Sequence, residues 1–306
     1  MKEVSEMTLE EKLEKVKNFR PIDDVFFEVL TQNKAVCQEI LRTILEDKDL
    51  LVEDVIAQSS ERNIYGRSVR LDALCTLGSG QKVNIEVQRF DHDDHFRRVR
   101  FNASSITVKE SEAGEKFENI IDLIMVYISE FDFIGGGKTC YHVDKVIRET
   151  GKVIDDGVRE VYVNTVVDDG TDIADLMSCF TKKLVNNPKF PEFSAEVTRL
   201  KTTEGGVGSM CEVMRHYEDI ARDAGRKEGI AAGRKEGMAA GRKEGIAAGR
   251  KEGMAAGRKE GMAAGRKEGI YSTLWSMVNG GYVSTSVAAA QCGMTEEAFL
   301  KTKPTT

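Results

Sequence analysis

Proline is scarce, with four residues in a chain of 306, which excludes a proline-rich disordered polypeptide. No stretch approaches about eighteen uninterrupted apolar residues, so a membrane-spanning helix is excluded. The N-terminal run MKEVSEMTLEEKLEKVKNF is charged throughout and has no apolar signal core, which predicts a cytoplasmic protein. None of the six cysteines (Cys37, Cys75, Cys140, Cys179, Cys211, Cys292) forms a Cys-x-x-Cys pair. That spacing excludes a zinc knuckle and a dense disulfide framework, leaving buried reduced thiols. What is abundant is charge, 31% of residues, beside 41% hydrophobic residues, so a packed core with a strongly charged surface is expected.

The net charge of −7 is unevenly spread. Six Arg-Lys-Glu triplets give residues 225–270 a charge of +6, residues 271–306 sum to zero, and residues 1–224 therefore carry −13. An acidic body with a basic arm is not the footprint of a protein that coats DNA. Nucleic-acid chemistry on such a body needs local cations or metal ions to offset repulsion.

Along the chain, Thr8 with Glu11 three residues later predicts a capped helix to Lys17. Apolar residues at 22, 25, 26, 29 and 30, and then at 36, 40, 41 and 44, have helical spacing. After Asp47 the pattern turns to strands. Val52–Gln58, Arg67–Leu77 and Gln81–Gln88 read as strands, the last two joined by Gly78-Ser79-Gly80 as a hairpin. A polar loop over 89–95 leads to a helix over about 96–113. Ile120–Ile128 is nearly all apolar, as a central strand covered on both faces must be. Cys140–Ile147 and Val158–Val167 are further strands, Thr171 caps a helix to Phe180, and the rest to Ala224 reads as helical. This order predicts an α/β fold with a mixed central sheet flanked by helices.

The chemistry concentrates on the hairpin. Side chains alternate along a strand, so Asn84, Glu86 and Gln88 share a face, and the turn brings Asp72 opposite them. Two carboxylates among Leu71, Leu74, Ile85 and Val87 require compensation, and a hard divalent cation is the simplest. Asp72, Glu86 and the Val87 carbonyl can supply oxygen ligands to Mg2+ or Mn2+, and Gln88 can orient water or a phosphate oxygen. A solvated sheet face carrying two unrelated acids fits the same spacing. Arg97, Arg98 and Arg100 follow closely on the next helix and can address phosphate, or form surface ion pairs.

The segments FRPIDDVFFEVL near the start, ILEDKDL at 44–50, SVRLDALC at 68–75, VNIEVQR at 83–89, RRVRFNASSI at 97–106 and YHVDKVIRETG at 141–151 together resemble the PD-(D/E)XK nuclease family transposases, the recombination-promoting nuclease group. The resemblance runs in order from Phe19 to about Phe180. It implies a restriction-endonuclease-like core and magnesium-dependent endonucleolytic cleavage of DNA. It places the family's aspartate on Asp72, its glutamate on Glu86, a glutamine in place of the usual lysine on Gln88, and the following helix's arginines on Arg98 and Arg100. Phe101 stands where a tyrosine is common. Asp24 is the candidate early-helix acid, ahead of Asp23.

Other signals lead away from function. Gly135-Gly136-Gly137-Lys138-Thr139 ends like a phosphate loop, but Asp132 occupies the position that needs glycine and a strand follows, so no nucleotide cofactor is expected. His92 and His95 read as part of a solvated loop. From Gly225 the chain repeats Gly-Arg-Lys-Glu-Gly-(Ile/Met)-Ala-Ala, with twelve glycines to Gly269. Each glycine costs a helix roughly 0.8–1.0 kcal/mol relative to alanine, on the order of 10 kcal/mol in all. Eight residues advance about 80° beyond two full turns, so the Ile and Met side chains wind around the axis and form no heptad seam. A marginal helical arm of about 69 Å is expected, either a repeat expansion with little selected function or a spacer, a weak phosphate binder or a homo-oligomerisation arm. The expected organisation is an N-terminal helix over 1–18, the nuclease-like domain over 19–224, the repeat arm over 225–270 and a small helical tail over 271–306. An alternative function is a catalytically inactive nuclease fold that binds or oligomerises through the arm.

Overall fold

The computed structural model describes residues 3–61, 69–114 and 116–303. They divide into two compact units, Met1–Arg222 and Asp223–Thr306.

The first unit opens with α1 (Leu9–Lys17), capped as expected: Glu11 N–H donates to Thr8 Oγ1 at 3.3 Å and Thr8 N–H to Glu11 Oε2 at 2.7 Å. Helices α2 (Asp24–Leu30) and α3 (Lys34–Ile44) follow. Then come β1 (Val52–Glu61), β2 (Val69–Leu77), β3 (Lys82–Gln88), α4 (His95–Glu110) and β4 (Leu123–Ser129). After them run β5 (Cys140–Val143), β6 (Lys145–Ile147), β7 (Lys152–Ile154), β8 (Val158–Asn164), α5 (Asp172–Phe180) and α6 (Pro191–Thr202). The main sheet has the order β1-β2-β3-β4-β8-β5. Strands β1 to β3 are antiparallel neighbours, β3, β4 and β8 are parallel, and β5 closes the edge antiparallel to β8. This is the mixed sheet flanked by helices that the segment order predicts.

Strict alternation along β4 builds both faces of the sheet. Ile124, Val126 and Ile128 join Ala73, Cys75, Val83, Ile85 and Val87 under α2, α3, α5 and α6, where Phe26, Phe27, Ile40, Phe180 and Phe193 fill the main core. Leu123, Met125 and Tyr127 turn the other way, with Leu74 and Tyr162, against Val99, Ala103 and Ile106 of α4. Among the described residues the second face has a single covering helix, and its polar residues therefore lie beneath α4.

Three expectations change. The segment 140–147 is not one strand: it breaks at Asp144, leaving β5 in the main sheet and β6 in a separate ribbon with β7, a strand the sequence pattern did not announce. Short, fully exposed strands carry no burial alternation to read. His95 is not in a solvated loop but buried at the start of α4. Of the thiols, Cys37, Cys75, Cys179 and Cys211 are buried, while Cys140 and Cys292 are half-buried; all six are free. Residues 67 and 68, expected to begin β2, lie outside the described residues.

The helix α7 (Glu204–Asn279) begins in the first unit, where Val207, Met210, Cys211 and Met214 are buried. In the second unit it includes the whole repeat, with Ile230, Met238, Met254 and Met262 each more than 60% exposed, as side chains that wind around an unaccompanied helix must be. Beyond it, α8 (Thr285–Gln291) and α9 (Glu296–Leu300) enclose a small core of Trp275, Ala288, Ala289 and Phe299. Among the described residues no helix is long and apolar enough to cross a membrane.

Candidate active site

The hairpin register decides what the acids can share. Ala73 pairs with Ile85 and Leu74 with Asn84, the last rungs between β2 and β3. One step on, the backbone ladder gives way to a side chain: Val87 N–H donates to Asp72 Oδ2 at 2.9 Å. The N–H and C=O of one strand residue point to the same side, so the Val87 carbonyl also faces Asp72. Asp72 is half-buried and Glu86 is 6% exposed.

Glu86 lies under α4. Its Oε2 accepts from Asn84 Nδ2 at 3.3 Å and from Asn102 Nδ2 on α4. Burial pushes its pKa above the ordinary carboxylate range, opposed by the Asn102 amide, the nearby Arg98 guanidinium and the Asn84 amide. Both amides grip one carboxylate oxygen, and Oε1 has no hydrogen bond among the described residues. Tyr127, opposite Glu86 in the parallel β3–β4 register, lies in the field of both Glu86 and Asp72, and its pKa is pushed up, first by burial.

Tyr127 in turn anchors the start of α4. His95 Nδ1 is 2.9 Å from the Tyr127 hydroxyl and Nε2 is 3.0 Å from Asp91 Oδ1, with the ring packed on Phe131 and Phe133. One turn on, Arg98 Nη2 is 3.6 Å from Asp94, and one further turn on is Asn102. Residues 95, 98 and 102 thus line the part of the sheet-facing side of α4 nearest Glu86, alongside Val99, Ala103 and Ile106. The i, i+3, i+7 spacing was the available signal for Asn102, but nothing local shows that an asparagine will end on a carboxylate sixteen residues earlier.

The remaining expected residues are placed less centrally. Gln88 Nε2 donates to Phe90 O at 2.6 Å, turning its amide into the following loop. Asp24 is exposed at the first residue of α2, whereas Asp23 is buried. Asp23 accepts from Arg20 N–H at 2.7 Å and pairs with Arg89 Nη1 at 3.0 Å, and Arg20 and Arg89 both reach Glu130. That network ties α2 to the ends of β3 and β4. Arg98 and Arg100 are not brought together: two helical positions are about 200° apart, so Arg98 is at Glu86 and Arg100 is exposed on the outer face.

Residues 22–166 match the family model of the PD-(D/E)XK nuclease family transposases. This segment belongs to that family. It contains every strand of the main sheet together with α2, α3 and α4. No curated protein and no solved structure matches the chain.

Within the nuclease-family segment the donor set suits a hard cation: carboxylates of Asp72 and Glu86 and the carbonyl of Val87, all oxygen. No group of three or more His, Cys, Asp or Glu side chains is placed to hold a metal among the described residues, so water and substrate oxygens would complete the shell. The glycine loop is a strand connection: Asp132 accepts from Gly135 and Gly137 N–H, each at 3.0 Å, and from the Tyr141 hydroxyl. A cavity of about 630 Å³ lined by Asp47, Glu53 and Asp144 is at the opposite end of the strands and includes neither Asp72 nor Glu86.

Proposed function

We propose that the nuclease-family segment is a metal-dependent DNA endonuclease that hydrolyses phosphodiester bonds at Asp72 and Glu86. The observation that carries this reading is the buried Glu86 carboxylate, with Oε2 gripped by Asn84 and Asn102, beside an Asp72 held by Val87 N–H. A buried carboxylate with a raised pKa is costly unless a cation joins it. Asp72, Glu86 and the Val87 carbonyl would hold Mg2+ or Mn2+, which supplies an acidified water and stabilises charge on the phosphate.

The chain's own contribution is positioning. Asn84 and Asn102 fix the Glu86 carboxylate so that its second oxygen is available. Val87 N–H fixes Asp72. Arg98 brings positive charge to the same face and favours the ionised form of Glu86 in the absence of metal. Gln88 reaches water or phosphate after releasing Phe90 O, and Asp24 serves as the early-helix acid from the first turn of α2.

The test is nicking of supercoiled plasmid DNA with magnesium or manganese. Wild type cuts; Asp72→Asn and Glu86→Gln do not. Cutting by both variants at the wild-type rate refutes the assignment.

A second reading has its own support. Arg98 already supplies a cation beside Glu86, and the repeat presents exposed Ile and Met side chains. An inactive nuclease fold that binds or self-associates through residues 225–270 fits both. It predicts no Glu86-dependent heat of magnesium binding and a lower mass in light scattering when 225–270 are deleted.

A further inference from the structure

The loop between β3 and α4 is pinned at several points by groups around the candidate site. At its start, Arg89 Nη1 is 3.0 Å from Asp23 Oδ1 and Arg89 Nε is 3.4 Å from Glu130 Oε2. Gln88 Nε2 donates to Phe90 O at 2.6 Å, so a residue of the site holds the loop backbone directly. Further on, Asp91 Oδ1 accepts from Asp93 N–H at 3.1 Å and is 3.0 Å from Nε2 of the buried His95.

On this fixed turn Phe90 is 63% exposed. The rings closer to the sheet find one another: Phe96, Tyr127 and Tyr162 all pack against Phe133 or each other, mostly edge to face. Phe90 is outside that cluster. Its neighbours are the Arg89 guanidinium, 5.4 Å from the ring centroid, and the His92 ring at 6.5 Å. Exposure alone does not single it out, since Phe117 is 90% exposed. What does is its tether: the pins at Arg89, Phe90 O and Asp91 fix where the ring is presented, and one of them is a side chain of the site itself. Phe90 follows Glu86 by four residues, so their Cα atoms are at most about 14 Å apart. At about 3.4 Å per stacked nucleotide, that is the length of roughly four nucleotides of one strand.

We infer that Phe90 is a stacking platform for an unpaired base of the DNA strand held at Asp72 and Glu86. The substrate class is then DNA with unpaired bases beside the cleaved bond. The inference deepens the nuclease reading and rests on it for the identity of the ligand. Inside a duplex each base is covered on both faces by its neighbours, whereas a single strand or frayed end offers a free face. An aromatic ring stacks on such a face without regard to sequence. Holding the ring in place beforehand lowers the ordering cost of that contact.

The experiment is fluorescence titration of the full chain with a short single strand carrying 2-aminopurine, and with the same strand in a duplex. It is run in calcium, a cation that takes oxygen ligands, and again in EDTA. Stacking quenches 2-aminopurine, so the readout is independent of cleavage. Wild type should quench the probe and bind the single strand more tightly than the duplex. Phe90→Ala should weaken single-strand binding by about 5- to 150-fold, the loss of one base–aromatic stack, and leave duplex binding unchanged. Phe90→Tyr should behave as wild type. Phe117→Ala, ahead of β4 where that strand pairs with Lys82, should also change nothing. Near-ultraviolet circular dichroism checks that the variants fold. Wild-type affinity of Phe90→Ala for the single strand, or equal losses on both probes, overturns the platform, and plasmid nicking still tests the nuclease separately. Quenching lost in Phe90→Ala, with no plasmid cutting by wild type, supports the platform and refutes the nuclease. Absence of DNA binding by wild type overturns both.

Discussion

Replacing Glu86 by glutamine should change stability in opposite directions with and without metal. The side chain keeps its shape and loses its charge. Two amide bonds to Oε2 lose their charge assistance, about 1 kcal/mol each from the difference between charged and neutral hydrogen bonds. Against this, a buried ion costs several kcal/mol to desolvate. The upward shift of the Glu86 pKa shows that desolvation exceeds the Asn102, Arg98 and Asn84 contributions together. In EDTA near neutral pH, Glu86→Gln should therefore be more stable than wild type by on the order of 1 kcal/mol. The pH dependence has a definite sign. Below the ordinary glutamate range Glu86 is protonated in both states and the gap closes. As pH rises, the unfolded chain releases the proton first, so wild-type stability falls until the shifted pKa is passed, and the variant shows no such fall. At magnesium near 100 times the dissociation constant, wild type alone gains about 2.7 kcal/mol, and the order reverses. The assay is urea unfolding read by near-ultraviolet circular dichroism, which reports buried Tyr127 and Tyr162 of the first unit. The single tryptophan, Trp275, reports the C-terminal cluster instead. A variant less stable than wild type in EDTA, or an equal response of both proteins to magnesium, refutes the reasoning.

Three further outcomes concern the scaffold. A Cβ on Gly206 would meet Arg199 O at 2.3 Å and Leu200 Cα at 2.6 Å, so Gly206→Ala should destabilise the first unit by about 1–3 kcal/mol of overpacking, less the helix gain. A Cβ on Gly237 meets nothing within 4 Å, so Gly237→Ala should raise helix stability by about 0.8–1.0 kcal/mol in far-ultraviolet melting. Lys201 is buried, bonds the carbonyls of Phe19 and Lys183, and has its pKa lowered to about 8, chiefly by burial. Stability should rise with pH from about 8 toward the ordinary lysine range, because the native state has already lost the proton that the unfolded chain still holds. Lys201→Met should abolish that rise and cost about 1–3 kcal/mol at neutral pH by stranding the carbonyls; urea titrations at two pH values check both.

Local rules made much of this protein legible. The Thr8–Glu11 box, the β2–β3 hairpin, the doubly covered β4 and the Thr171 cap all depend on residues within one turn or one strand of each other. The pairing of the strand that carries Asp72 with the strand that carries Glu86 was legible for the same reason, since a hairpin's register follows from its turn. The resemblance of the ordered motifs also anticipated the family to which residues 22–166 belong. Elsewhere local reading failed. His92 and His95 look alike in a polar run, yet His95 is buried on Tyr127 from a strand thirty-two residues away. Asp23 and Asp24 are adjacent, and only the packing of Arg89 and Glu130 against α2 selects Asp23 for burial.

By itself, the amino-acid pattern determined the strands and helices of the main sheet and its cover, though not the β6–β7 ribbon, and also which hairpin carries the acids and how charge divides between body and repeat. Those properties depend on side-chain periodicity and on neighbours a few bonds away. Only the tertiary structure decided that α4 is, among the described residues, the helix that covers one sheet face. From that follow the Asn102 amide on Glu86, the separation of Arg98 from Arg97 and Arg100, and the raised pKa of a carboxylate that looks exposed in the alternation of its own strand. Burial and long-range hydrogen bonding depend on which element packs over a residue, and no local periodicity specifies the packing partner.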